Sequence, residues 1–342
     1  MTTPLPATQH ALLLNTKTTT LTLSTTHPLP APTPTSLLIR VHSTAITSGE
    51  LTWGPAGLNL IPWPALQIPC YDVSGTVVYS PSKSFKTGDK IHARVMADRQ
   101  GAACEYASVL VSEAARVPGG MGMLDAASVP MSAHTAWQGV FDKGLLMTGM
   151  SGVPYVNGAG EAVLGQAKGK RVLILGAAGS VGSLAVQFAK LAGAWVVGTA
   201  SSKDTAYLED LGIDQVVDYT STSMAQYVAG GGQKFDVVFD CVGGEAMLDA
   251  WNAVKEGGAY PSVVPGFKEP EDGKPAGVRS EWFVMEARGE ELSAIGKFFE
   301  KGMVRGVRVD SVWKLEEFEE AFGKVTGGKA RGKVVFRVSD EK

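Results

Sequence analysis

Cysteine is scarce in this 342-residue chain: Cys70, Cys104 and Cys241 stand far apart and form no C-x-x-C pair. Three separated thiols cannot build a disulfide framework, and they point to a reducing compartment. Long apolar runs are missing too. No stretch approaches the roughly 20 residues needed to span a bilayer. Acidic residues are absent from the first 49 positions, where threonine is abundant, a bias shared with organellar transit peptides. Only Lys17 and Arg40 supply cationic charge there, and Pro28, Pro30, Pro32 and Pro34 break any amphipathic helix. The alternation in Leu21-Thr22-Leu23-Ser24 predicts strands instead, so a cytoplasmic protein is expected. Excess charge is also lacking. The net value of −3 and the pI near 6.0 give no global pull toward nucleic acid or an anionic membrane.

What is present is a chain long and apolar enough (44% hydrophobic) for two domains. Its most informative stretch runs from Arg171 to Lys203. Arg171–Leu175 is a continuous apolar run, as in a parallel strand buried on both faces. Gly176, Gly179 and Gly182 follow in G-x-x-G-x-x-G spacing, a variant of the dinucleotide fingerprint. Such glycines allow a tight turn, close approach to a pyrophosphate, and packing of helix on strand. The turn and helix start, Gly176, Ala178, Gly179, Ser180, Val181 and Gly182, are therefore candidate cofactor contacts, with the helix N–H groups aimed at phosphate.

A second strand, Trp195–Thr199, ends in Ala200-Ser201-Ser202-Lys203, with no carboxylate before Asp204. NAD sites place Asp or Glu near this point to accept from the ribose 2′-hydroxyl. Two hydroxyls and an ammonium instead suit a 2′-phosphate, so Ser201, Ser202 and Lys203 predict NADPH. Capping of the following helix by the serines is compatible with that role.

Residues 1 to about 130 read as short strands between Gly/Pro turns, a mostly antiparallel, barrel-like pattern. From there helices and strands alternate: a helix at Ala126–Phe141, strands at 171–175, 195–199, Gln215–Asp218 and Phe235–Asp240, and a helix at Ala246–Lys255. That alternation predicts a doubly wound parallel sheet, hence an α/β chain. Helices Glu290–Glu300 and Leu315–Lys324 and the strand Lys333–Val338 close it. An insertion at about 144–168, with Tyr155 and Asn157, is longer than most loops inside compact domains.

Several segments, in order, resemble the medium-chain dehydrogenase/reductase superfamily in its zinc-free branch of quinone oxidoreductases and enoyl reductases. Ile68-Pro69-Cys70-Tyr71-Asp72-Val73-Ser74-Gly75-Thr76-Val77 is similar to P-G-x-D-x-x-G-x-V, and Phe85-Lys86-Thr87-Gly88-Asp89-Lys90-Ile91 to F-x-x-G-D-x-V. Gly101-Ala102-Ala103-Cys104-Glu105-Tyr106, Ala126–Pro130 with Thr135-Ala136-Trp137, Asp240-Cys241-Val242-Gly243-Gly244 and Ala330–Val335 match likewise. The resemblance implies a GroES-like, partly open β-barrel substrate domain (1–132, completed by 283–342) and a Rossmann NADPH-binding domain (133–282), with substrate between them. It also implies a homodimer. It adds Thr135, Tyr219, Cys241, Val242 and Lys333 to the expected cofactor contacts.

Zinc is not expected. Where zinc-dependent relatives have Gly-His-Glu this chain has Cys70-Tyr71-Asp72, and in place of their first cysteine stretch it has Thr47-Ser48-Gly49-Glu50. A catalytic zinc needs three protein ligands. Where zinc-free relatives show A-x-x-L-N-x-x-D, Thr47 replaces the asparagine and Glu50 the aspartate, so Thr47 and Tyr71 become the candidate hydrogen-bond donors to a substrate carbonyl. An exposed, solvating Glu50 is expected. Trp53, Trp63, Tyr71 and Phe283 suit a flat or hydrophobic substrate. The predicted reaction is reduction of an enone, enal or enoyl thioester by hydride transfer to the β-carbon. Quinone reduction is the alternative. Two further readings stand beside it: a trans-acting reductase docked on a carrier protein or synthase, through a patch such as Lys301, Arg305 and Arg308, and a non-catalytic NADPH-binding adaptor.

Overall fold

The computed structural model describes residues 4–145 and 153–340. The chain divides into two units: Met1–Met131 with Glu286–Glu300 and Gly306–Lys342, and Ser132–Met285 with Lys301–Arg305. Both sequence patterns have their counterparts in these units, and the chain is α/β.

The first unit is built on the strand Ser36–Ala45, whose apolar run is buried along nearly its whole length. It pairs antiparallel with Asp72–Tyr79 on one side and Lys333–Arg337 on the other, while Tyr106–Leu110 adds to its first half. Asp72–Tyr79 pairs onward with Lys90–Arg94, and Val309–Trp313 covers the outer edge of Lys333–Arg337. This register places Asp72 opposite Ala45 and Ala45 opposite Val335. The chain's end is thereby brought against its first third. Ile39, Val41, Val73, Val77, Ile91 and Phe336 fill the core beneath.

The second unit holds six parallel strands in the order Gln215–Asp218, Trp195–Ala200, Arg171–Leu175, Phe235–Asp240, Val254–Ser262, Arg279–Trp282. That order, 3-2-1-4-5-6 in chain sequence, is the doubly wound dinucleotide-binding topology. The strand interiors, Val172, Leu173, Ile174, Val197, Val238 and Phe239, are fully buried.

Three local readings are corrected. The helix expected at Ala246–Lys255 is Gly244–Ala250, followed by a single tight turn and the strand Val254–Ser262. Gly257 bears φ +67° within that strand. Arg279–Trp282, a short polar edge strand, has no apolar alternation to announce it. The long helix Ala126–Phe141 is broken: Met123–Ser128, then Pro130–Trp137 with proline at its first position, then π-helical turns over Gln138–Leu145.

Within the insertion, residues 146–152 lie outside the described residues. The rest forms a small hairpin, Tyr155–Val156 with Ala162–Val163. Asn157 builds its turn by accepting from the Ala159 and Glu161 N–H groups at 3.0 and 2.9 Å. Beyond it, Gly165 and Ala167 donate to the Leu191 and Ala192 carbonyls, so this segment caps the C-terminal end of the helix Ser180–Leu191. No helix among the described residues is long and apolar enough to cross a membrane.

Candidate active site

The second unit gathers its chemistry at the C-terminal ends of its strands. Gly176 leaves Arg171–Leu175 at φ +72°, a conformation only glycine adopts freely. Its N–H donates to the Thr199 hydroxyl (3.0 Å), and Ala177 N–H donates to the Thr199 carbonyl. A Cβ on Gly182 would lie 2.2 Å from the Gly176 carbonyl oxygen, and one on Gly176 would lie 2.7 Å from Val242 Cγ2. The turn thus needs glycine for close packing at two points. No side chain caps the start of the helix Ser180–Leu191, leaving its first N–H groups directed outward beside the half-buried Ala178, Ser180 and Val181. The cradle fits a pyrophosphate.

Ser201, Ser202 and Lys203 follow the strand Trp195–Ala200 directly. Ser201 does not cap the ensuing helix with its side chain; its hydroxyl meets Asp204 Oδ2 at 3.3 Å. Lys203 is exposed and makes no ion pair among the described residues. Tyr219 is 62% exposed at the end of the neighbouring strand, and its N–H donates to the Ala200 carbonyl. Cys241 is half-buried and Val242 half-exposed at the end of Phe235–Asp240. The loop carrying them is held by the fully buried Asp240. Its Oδ1 accepts from the N–H groups of Val242 (2.9 Å) and Gly243 (2.8 Å), and its Oδ2 accepts from the Ser262 hydroxyl (2.7 Å). Thr135 belongs to the same unit and is buried on the helix Pro130–Trp137 beside the wholly buried His134.

One expected cofactor contact, Lys333, belongs to the other unit. It lies in the first unit, where its ammonium pairs with Asp72 at 2.8 Å, both side chains almost completely buried. Desolvating a cation demands such a partner, and the strand register supplies it. Asp72 Oδ1 also accepts from Met131 N–H (2.7 Å), in the first turn of the helix Pro130–Trp137. Asp72 therefore anchors a strand and a helix at once, a role that sequence position alone does not reveal.

Around this pair the first unit keeps other polar groups out of water. Glu50 is buried, contrary to its expected exposure, and accepts from Cys70 N–H (3.2 Å) and Thr47 N–H (3.3 Å). Burial pushes its carboxyl up to about 7, against the opposing pull of the Cys70 contact and the Lys333 and Arg94 charges. Cys70 sits at φ +63°, which explains why a glycine stands there in the resembling family, and burial raises its thiol far above the usual range. Thr47 is half-buried, its hydroxyl 3.2 Å from Met131 Sδ. Tyr71 is wholly buried, stacked between Trp53 and Trp63 at 5.8 and 6.3 Å, with the Arg94 guanidinium 5.1 Å from its ring. Its hydroxyl accepts from Gln67 Nε2 (3.1 Å). That environment keeps the phenol out of water, with its oxygen engaged as an acceptor. Phe283 belongs to the second unit, packed on Phe239. In the expected basic patch, Arg305 is paired with Asp210.

A zinc ion does not fit these residues. Asp72 is committed to Lys333 and Met131, Cys70 is sealed against Glu50, and among the described residues no three His, Cys, Asp or Glu side chains group as metal ligands.

A parallel doubly wound sheet with a phosphate-fitting glycine turn, joined in one chain to a mixed β unit, is the architecture of a dinucleotide-binding protein. A family model described as a zinc-binding dehydrogenase matches residues 211–336. A protein of Arthroderma benhamiae named "Probable zinc-binding oxidoreductase, mitochondrial" is 40% identical over 313 residues, covering 88% of each chain. NAD(P)H oxidoreductase RTN4IP1, mitochondrial, of Danio rerio is 31% identical, covering 79% of this chain and 72% of its own. The NADPH-dependent alkenal/one oxidoreductase, chloroplastic, of Arabidopsis thaliana is 30% identical, covering 87% and 71%. The solved quinone oxidoreductase of Coxiella burnetii shares the fold with a TM-score of 0.77, at 24% identity, over 97% of this chain and 99% of that one. This chain belongs to the medium-chain dehydrogenase/reductase superfamily. The expected cytoplasmic location is overturned by the two relatives that carry a mitochondrial address in their names. Its premise concerned only how the N-terminal residues fold: they do form strands, Thr8–Asn15 and Thr20–Pro28, but strands do not specify a compartment.

Proposed function

We propose that this protein is an NADPH-dependent, zinc-independent reductase of activated carbon–carbon double bonds: enones, enals or enoyl thioesters. The observation that carries the cofactor choice is Lys203, exposed and without an ion pair among the described residues, beside Ser201 and Ser202, where an NAD site would place a carboxylate. The alkenal/one relative supports the substrate class. Bound NADPH would supply the hydride for the β-carbon of the substrate.

The chain's own residues then have three tasks. The glycine turn and the uncapped helix start bind the pyrophosphate. Ser201, Ser202, Lys203 and Tyr219 read the 2′-phosphate end, and Thr135, Cys241 and Val242 border the cofactor's other half. In the first unit, Thr47 donates its hydroxyl to the carbonyl oxygen on which negative charge collects, and Glu50 fixes the Thr47 backbone for that purpose. Tyr71 serves by holding Trp53 and Trp63 in a stack. The α-carbon is then protonated by water or a side chain. Reduction of this kind needs no metal, because the substrate's own carbonyl accepts the electrons.

Quinone reduction is the second reading, favoured by the half-buried Trp53 ring at the edge of the aromatic stack. A homodimer and a mitochondrial address complete the proposal. Fluorescence titration tests the cofactor choice: NADPH should bind at least about tenfold more tightly than NADH, and Lys203→Ala should erase most of that difference. Equal affinities for the two cofactors in the unaltered protein would overturn it.

A further inference from the structure

Asp218, which the cofactor reading leaves without a role, lies among the residues assigned to the 2′-phosphate. It ends the strand Gln215–Asp218 directly opposite Ala200, the last residue of the neighbouring strand. Its Oδ2 accepts from Ser202 N–H at 3.1 Å. Its Oδ1 accepts from Thr220 N–H at 2.9 Å and from the Thr220 hydroxyl at 2.7 Å. Its carbonyl takes the Ser221 and Thr222 N–H groups at 3.2 and 3.0 Å. One carboxylate thus bridges the two strand ends: Ser202 and Lys203 follow one, and Tyr219 and Thr220 the other. These hydrogen bonds also hold its carboxyl below the ordinary range, so the bridge is ionised at neutral pH.

Ser201, the residue positioned to cap the short helix, does not cap it with its side chain, and Ser202 N–H would otherwise be an orphan donor. Asp218 satisfies it from the adjacent strand. The consequence is geometric. Lys203 follows Ser202 immediately, so anchoring the Ser202 backbone limits where the ammonium can go, and anchoring Thr220 does the same for Tyr219.

Resting on the NADPH reading, we propose that Asp218 is a positioning residue for cofactor specificity. It ties the Ser202–Lys203 turn to the Tyr219–Thr220 turn, so that the two together form one wall that reads a 2′-phosphate. NADH, which lacks that phosphate, gains little from the wall.

The test is titration of NADPH and NADH on the full chain and on Asp218→Ala, Asp218→Asn, Thr220→Val and Lys203→Ala, each checked for an unchanged melting temperature. Asp218→Ala should reduce the NADPH:NADH affinity ratio by about tenfold, with NADH binding nearly constant. Thr220→Val, which removes one of the bonds and keeps the shape, should move the ratio in the same direction by less, and it serves as the probe should Asp218→Ala not fold. Asp218→Asn, which keeps one acceptor, should restore part of the ratio. An unchanged ratio in Asp218→Ala, or tighter NADPH binding once the negative charge is removed, would overturn the proposal. If the unaltered protein prefers NADPH and Lys203→Ala abolishes the preference while Asp218→Ala does not, the cofactor reading stands and this inference alone fails. If the unaltered protein shows no preference, the cofactor reading itself fails.

Discussion

Glu50 shows how far one side chain's environment can depart from its appearance in the sequence. Beside Ser48 and Gly49 it reads as a solvated surface residue, yet it is buried against two backbone N–H groups. Its carboxyl titrates near 7 instead of in the ordinary range, so between those values the native state binds a proton that the unfolded chain does not. Stability is therefore highest below the unfolded value and falls as pH rises through about 7. The ionised form costs roughly 3 kcal/mol. Glu50→Gln should flatten that decline: urea unfolding across this pH range should show the unaltered protein losing stability that the variant keeps, and parallel curves would contradict the burial argument. Asp72 and Lys333 make the complementary case. Lys333→Met leaves a buried carboxylate without its cation and should cost about 3–5 kcal/mol in the same measurement. A loss below about 1 kcal/mol would mean the pair contributes little.

At the scale of elements, the glycine turn was legible because local spacing and packing demand the same residues. G-x-x-G-x-x-G between an apolar run and a helix requires no distant partner to be recognised, and the strand–turn–helix is present over Arg171–Leu191. Gly182→Ala should push the helix away from the Gly176 carbonyl and weaken NADPH binding at least about tenfold while the protein remains folded. Unaltered binding would show that the turn tolerates a methyl group. What escaped the sequence depends on pairing across the chain. Lys333 is expected as a cofactor contact from the family resemblance, but nothing near it in the sequence announces its ion pair. Its partner is 261 positions away, and only the strand register brings it to Asp72. The enclosure of Tyr71 is hidden for the same reason, since Trp53, Trp63 and Gln67 carry no mark of their contact in the sequence. The edge strand Arg279–Trp282 was missed because its four residues are mostly solvent-facing and polar.

For the whole molecule, the two units follow the two sequence patterns: the α/β alternation carries the glycine turn, and the short strands carry the buried polar group around Asp72. The proposed reaction, NADPH-driven reduction without zinc, rests on the Ser-Ser-Lys strand end in the second unit and on Asp72 and Cys70 in the first, whose polar groups are engaged with Lys333, Met131 and Glu50. A family model described as a zinc-binding dehydrogenase matches residues 211–336, a span without Thr47 and Cys70, the positions where the family resemblance puts catalytic zinc ligands. The most direct measurement is the rate of NADPH oxidation with a 2-alkenal, run beside the matching saturated aldehyde and repeated after treatment with a metal chelator. The account predicts NADPH consumption matched by loss of the double bond, undiminished by the chelator, with the saturated aldehyde inert. Reduction of the saturated aldehyde in preference, or activity that disappears with the chelator and returns with added zinc, would contradict it.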